Sequence, residues 1–207
     1  MRYAVFSSLQ MIDGDLLRSF EGLAEDRYLK SEHCFRFRAF GSARVKGNAV
    51  LWEEDLVFRQ GRDINSYAGG VDRRFPPIGE SARSFAEEFV RSRRIHDLLA
   101  VEEFELGCHQ IRIVAEGENP GFPAPEGFHR DGFELITVTC VATDNVSGGE
   151  SLVDVGGELI FTRAIAPGET LLLDDRAVTH YVSPIMPRTP GRATRDVIVM
   201  TFTRNER

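Results

Sequence analysis

His129 and Asp131 stand two residues apart in the stretch GFHRDGFELITVTC, directly ahead of an apolar run rich in β-branched residues. In an extended chain, residues two apart face the same side, so an imidazole and a carboxylate are presented together while Arg130 faces away. That is half of a metal site. Alone, the pair reads equally as a surface turn with a local His–Asp contact. His180 supplies the rest: it follows the strand-like ETLLLDD and opens HYVSPI, so a second strand end can carry another imidazole to the pair. Two histidines and one carboxylate on one face, with the other positions open, form the ligand set of non-haem Fe(II) oxygenases. Arg195 opens RDVIVMTF, which reads as a buried strand. A guanidinium there can grip a carboxylate through two parallel N–H donors, which suits anchoring a diacid co-substrate beside iron. Arg188 and Arg192, in the Pro-rich loop before it, are its rivals.

The elements that must position these groups change character along the chain. Over 15–25 the apolar residues Leu16, Leu17, Phe20 and Leu23 make a helical stripe. CFRFRAF alternates Phe35, Phe37 and Ala39 with Arg36 and Arg38 at strand period, and NAVLWEEDLVFRQ predicts a second strand or hairpin. NSYAGGVDRRFPPIGE is rich in turn formers and reads as a loop. A helix is predicted over 80–103, opened by Ser81 or a neighbour and burying Phe85, Phe89, Ile95 and Leu98 or Leu99. Beyond it, short strand-like runs recur between Gly, Pro, Asn and Asp. The fold expected is α+β, with N-terminal helices buttressing a double-sheet jelly roll. One domain spans 1–207, in which 1–104 supplies support and a substrate loop and 105–204 the core with the iron site. GENPGFPAPEG, just before the His–Asp pair, is expected to be a lid or disordered.

A chain of 207 residues suffices for one well-buried core, and a formal net charge of −7 argues against a nucleic-acid partner. No run approaches the roughly 20 apolar residues of a membrane span, and the start lacks a secretory leader, so a cytoplasmic protein without membrane attachment is expected. Cys34, Cys108 and Cys140 show no CxxC and read as reduced thiols filling the core. The sequence carries no signal for an oligomeric state.

The ordered set HRDG, NVSGGES, DDRAVTH and RDVIVMTF resembles the 2-oxoglutarate and Fe(II)-dependent dioxygenases, specifically the bacterial branch of isoleucine dioxygenase-like amino-acid hydroxylases. The similarity runs from RFRAFGSARV to MTFTR and is sharpest in the second half. It implies a double-stranded β-helix, with His129, Asp131 and His180 as iron ligands and Arg195 on the distal carboxylate of 2-oxoglutarate. The implied activity is hydroxylation of a C–H bond in a small molecule, most simply a free L-amino acid or derivative, with release of succinate and CO2. Fe(II), 2-oxoglutarate and O2 are the implied cofactor and co-substrates, with ascorbate as reductant in vitro.

Lesser candidates follow from strand parity. On HQIRIVA, Gln110 and Arg112 share one face and His109 and Ile111 the other. Gln110 is a candidate contact to the co-substrate, and Arg112 either binds a carboxylate or makes an exterior salt bridge; His109 reads as a satisfied histidine. Thr139 shares parity with His129 and Asp131 if no bulge intervenes, making it a 2-oxoglutarate contact or core filling. For the substrate, Tyr67, Arg74 and Phe75 in the loop and Glu126 beside the iron strand supply a cation, an acid and rings. Tyr67 and Phe75 read equally as core anchors. NVSGGES reads as a hairpin turn, and Asp174 and Asp175 either orient His180 or end their strand in solvent. The competing functional class is a jelly-roll metal-binding regulatory or stress-response protein with little or no catalysis.

Overall fold

The computed structural model describes residues 1–31, 33–61 and 69–205. Its main sheet has seven antiparallel strands, in spatial order β1 (Tyr3–Ser7), β9 (Glu169–Asp174), β5 (Leu135–Asp144), β12 (Arg192–Arg204), β4 (Glu103–Glu116), β2 (Arg36–Lys46) and β3 (Ala49–Trp52). A three-stranded sheet, β10 (Thr179–Val182), β7 (Glu150–Val155) and β8 (Glu158–Ala164), and a two-stranded ladder, β11 (Ile185–Pro187) and β6 (Val146–Gly148), form the second layer. Val153 of β7 packs with Ile136, Val138, Leu171 and Val197 of the main sheet, closing the double-stranded β-helix. The first 104 residues are not only buttress: β1 occupies one edge of the main sheet and β2 with β3 the other.

Strand parity divides the main sheet between two environments. Phe104, Leu106, Cys108, Ile198, Met200 and Phe202 point outward and are covered by helices. His109, Ile111, Ile113, Val197 and Val199 point inward to the pocket. The covering helices are α1 (Gly14–Ser19), capped by Asp13, whose carboxylate accepts from the Leu16 N–H, and α2 (Glu80–Arg91). Helix α2 buries Ala82, Phe85, Ala86, Phe89 and Val90, spacings of three and four that make one stripe. Burying Phe85 and Phe89 contributes about 1.5–3 kcal/mol each.

Two helix expectations need correction. The helix over 80–103 is broken at Arg93, whose φ of 63° lies in the left-handed region; α3 (Arg94–Leu99) then ends at Ala100, φ 54°, before β4. Arg93 donates to Glu102 across this turn at 2.9 Å. The N-cap of α2 is Gly79 without a side-chain bond, not Ser81. NVSGGES is likewise no simple hairpin. Asn145, φ 53°, turns the chain from the main sheet into the two-stranded ladder, and Gly148 and Gly149, φ 82° and 71°, turn it from there into the three-stranded sheet. Among the thiols, Cys108 and Cys140 are buried, but Cys34 is exposed. No helix among the described residues is long and apolar enough to cross a membrane.

Candidate metal centre

His129 precedes β5 and meets His180 of β10 through a backbone bridge, with N–H···O distances of 3.0 and 2.9 Å. This main-chain pairing brings the two imidazoles together, with ring centroids 4.3 Å apart. Asp131 stands between them: its Oδ1 is 3.8 Å from His129 Nε2 and its Oδ2 3.4 Å from His180 Nε2. One ligand atom from each of the three lies within 4.8 Å of the others. A nitrogen–oxygen–nitrogen set so spaced suits a divalent metal that keeps several positions open.

The surroundings orient each ligand. The second ring nitrogen of His129, Nδ1, lies 2.8 Å from the Gly127 carbonyl, so Nδ1–H donates there and Nε2 is left to face the site. Asp175 is fully buried, and its carboxylate accepts from the backbone N–H of Asp131 (3.1 Å), Gly132 (2.7 Å) and Phe133 (3.0 Å). It therefore holds the turn that carries Asp131, and its Oδ1 lies 3.9 Å from His180 Nδ1, which has no hydrogen-bond partner among the described residues. Of the two roles weighed for Asp174 and Asp175, the positioning one falls to Asp175, while Asp174 pairs with Arg176 at the surface. Gln60, unnoticed in the sequence, donates to Asp131 Oδ1 at 3.1 Å. Burial opposes charge on Asp131, but bonding to His180, the two neighbouring imidazoles and Gln60 outweigh it and hold the carboxyl well below its usual range.

Arg195 lies in β12 with its side chain in the same pocket, 3% exposed, and its Nη2 has no hydrogen-bond partner among the described residues. A buried cation without a counter-ion is costly, and an incoming carboxylate relieves that cost. The pocket is a cavity of about 110 Å³. A single water needs roughly 10–15 Å³ on such a measure, so the space admits a small organic molecule. Donor set, orphaned guanidinium and cavity all fit a metal with a bound diacid.

The 2OG-Fe dioxygenase family model matches residues 17–201. The chain belongs to this family. The dioxygenase is 28% identical to L-isoleucine-4-hydroxylase of Bacillus thuringiensis over 71% of its own length and 65% of the relative's. It is 24% identical to 3(1)-hydroxy-L-isoleucine 4-dioxygenase of Pantoea ananatis over 93% of its length and 81% of that protein's. Among solved structures, a bsmA homologue from Methylobium petroleophilum PM1 superposes with a TM-score of 0.84 at 24% identity, covering 99% of this chain and 89% of that one. Family membership brings Fe(II), 2-oxoglutarate and O2 as cofactor and co-substrates.

The lesser residues of the dioxygenase sort by parity. Glu126 reaches the centre, its Oε1 3.4 Å from His129 Nε2. Gln110 does not: it shares the outward face of Leu106 and Cys108 and donates to Ser19 Oγ at 2.6 Å. Arg112 takes the salt-bridge alternative, bidentate to Asp196 at 2.7 Å through both nitrogens. Thr139 also points outward: the pocket parity of Asp131 and Phe133 passes to Ile136 and Val138 across the bend that leads into β5. Its hydroxyl joins a buried chain through Thr170 (2.7 Å) to Ser8 (2.6 Å). Thr139→Val should accordingly cost about 1 kcal/mol of stability in urea denaturation and leave 2-oxoglutarate affinity unchanged; weakened 2-oxoglutarate binding would return it to the site.

In the substrate loop, Tyr67 lies outside the described residues. Arg74 faces solvent and pairs with Asp55, whereas its neighbour Arg73 is the one turned into the pocket. Phe75 is a core anchor with Phe40, Leu56 and Phe58. His109 is neutral, since burial and the nearby guanidinium groups push it well below the usual histidine range; its Nδ1 accepts from Arg38 at 2.8 Å. Arg36 and Arg38, the polar row of CFRFRAF, line the pocket as well. The available signal was a strand with arginines at every second position that is buried on both faces. The loop GENPGFPAPEG is ordered and supplies Pro123, Ala124 and Glu126 to the pocket wall, as a cover would.

Proposed function

We propose that the chain is a single catalytic domain, working in the reducing cytoplasm, that hydroxylates a C–H bond of a free L-amino acid or close derivative. The carrying observation is the convergence of two imidazoles and a carboxylate in a pocket shared with a buried arginine that has no ion-pair partner among the described residues. His129, Asp131 and His180 hold Fe(II), and Arg195 takes the distal carboxylate of 2-oxoglutarate. Iron, when bound, couples reduction of O2 to oxidative decarboxylation of 2-oxoglutarate. The balance is substrate C–H, 2-oxoglutarate and O2 giving substrate C–OH, succinate and CO2.

The residues of the chain orient and seclude. Gly127 and Asp175 fix the ligand side chains and the turn that carries them. Val138, Val197 and Val199 present C–H surface to the reacting centre, which keeps water and oxidisable polar groups away from it. Glu126 stands where a substrate ammonium would find an acid. The names of two relatives, an L-isoleucine-4-hydroxylase and a 3(1)-hydroxy-L-isoleucine 4-dioxygenase, support the amino-acid class.

The test is turnover of a panel of L-amino acids with Fe(II), ascorbate and 2-oxoglutarate in air, reading succinate and a substrate mass gain of one oxygen. Coupled turnover of one of them is expected. Succinate without any oxygenated amino acid would reject the substrate class, and failure to bind 2-oxoglutarate anaerobically would favour a regulatory metal-binding role. Arg195→Met should raise the 2-oxoglutarate Kd by roughly 10- to 100-fold, the worth of a charge-assisted bidentate contact, with iron content unchanged. Unaltered 2-oxoglutarate affinity in this variant would move the anchor elsewhere.

A further inference from the structure

Four guanidinium groups line the pocket, from Arg36, Arg38, Arg73 and Arg195, and a co-substrate anchor accounts for one of them. Arg36 is neutralised by Asp26 at 2.7 Å, both side chains being buried. Arg38 and Arg73 have no carboxylate within ion-pair distance among the described residues, although they are only 7% and 2% exposed. The Nε of each also lacks a hydrogen-bond partner among the described residues.

Their setting is built and not incidental. The Phe58 ring serves both, with the Arg73 and Arg38 guanidinium carbons 4.6 and 5.2 Å from its centroid, and Phe75 lies 4.5 Å from Arg38. Aromatic faces hold a guanidinium in place and leave its N–H edge for a ligand. Arg38 also donates to the neutral His109, which offers no compensating charge. Arg73 donates to Gln60 Oε1 at 2.5 Å, and Gln60 Nε2 donates to Asp131. One amide side chain therefore separates this cation from a metal-binding carboxylate.

We infer that Arg38 and Arg73 form a second carboxylate subsite, distinct from that of Arg195, which holds the carboxylate of the organic substrate and so sets which carbon faces the metal. The assignment rests on the proposed hydroxylation reading. Arg195 faces the cavity from β12, whereas the second pair comes from β2 and the loop before α2, so two carboxylates are gripped by separate elements. With the carboxylate so held and the ammonium near Glu126, the aliphatic side chain of an amino acid is the part left for the valine-lined wall.

Calorimetry on anaerobic protein loaded with Mn(II) and 2-oxoglutarate tests this, with L-isoleucine, L-isoleucinamide and 3-methylpentanoate as probes. For the wild type, tight binding of the acid and weak binding of the amide are expected. Arg38→Met and Arg73→Met should each weaken the acid by about 10- to 100-fold and abolish the acid-over-amide preference. For Arg38→Met, metal content and 2-oxoglutarate affinity should stay at wild-type values, and a circular dichroism spectrum reports that each variant folds. Equal loss for acid and amide, or a fall in 2-oxoglutarate affinity instead, would overturn the subsite. Should the wild type bind no amino acid yet bind 3-methylpentanoate in a manner lost in both variants, the carboxylate subsite stands and the amino-acid class fails. Absence of wild-type binding to any of the three would reject the subsite.

Discussion

His129→Ala and His180→Ala should each yield folded protein that retains little iron and has lost coupled succinate production. Folding is expected to survive because the bridge between these residues is made by their backbones, at 3.0 and 2.9 Å, and alanine can make the same bonds. The metal site should not survive, because one of the three proposed protein ligands is gone. The fall in turnover should exceed the roughly 10–100-fold usual for losing an outer partner of a metal ligand. Iron content by mass spectrometry, circular dichroism and succinate release decide it. Wild-type iron in both variants would mean that the ligand set is misassigned.

Asp175→Ala is expected to have the largest effect among residues that touch neither metal nor substrate. Its carboxylate is the acceptor for three successive backbone N–H groups, on Asp131, Gly132 and Phe133, at a buried position. Removing it strands donors that cost about 1–3 kcal/mol each when left unpaired, so a loss on the order of 3 kcal/mol is expected even if water recovers some of them. The turn it holds carries Asp131, and the same group lies 3.9 Å from His180 Nδ1. Metal affinity should therefore fall about 10- to 100-fold as well. Asp175→Asn keeps one acceptor oxygen and should show smaller losses of both kinds. Urea denaturation of the metal-free protein separates the stability effect from metal titration of the folded protein. Unchanged values for both in the alanine variant would reduce Asp175 to a strand terminus.

Much of this was readable from residue order alone. His129, Asp131, His180 and Arg195 stand at the ends of runs that are strongly apolar, and the structure brings all four to one pocket. The second-half strands appear where period-two apolar runs lie between turn formers, since such runs must bury one face. Parity along one strand also carried information that was read the wrong way. Gln110 has the parity of Phe104, Leu106 and Cys108, which pack under the helices, and Arg112 on the same face meets Asp196 of the neighbouring strand. The Thr139 expectation failed in the bend between Phe133 and β5, where the alternation shifts by one residue.

What the sequence determined by itself was chemistry and local conformation: which side chains can bind metal and carboxylate, and which segments must be strands with one buried face. Tertiary structure decided which groups meet and which face of each strand looks into the cavity. Arg38 and Arg73 come from distant segments, yet the fold closes Phe58 against both and leaves them without an ion-pair partner among the described residues. Asp175 meets the turn of Asp131 only in the folded chain, where its carboxylate accepts from backbone N–H groups at sequence separations of 42 to 44 residues. The physical reason is range. Side-chain periodicity is fixed within a few residues, whereas a site is made by strand pairings between residues far apart in the chain, whose register is set by burial of the whole sheet.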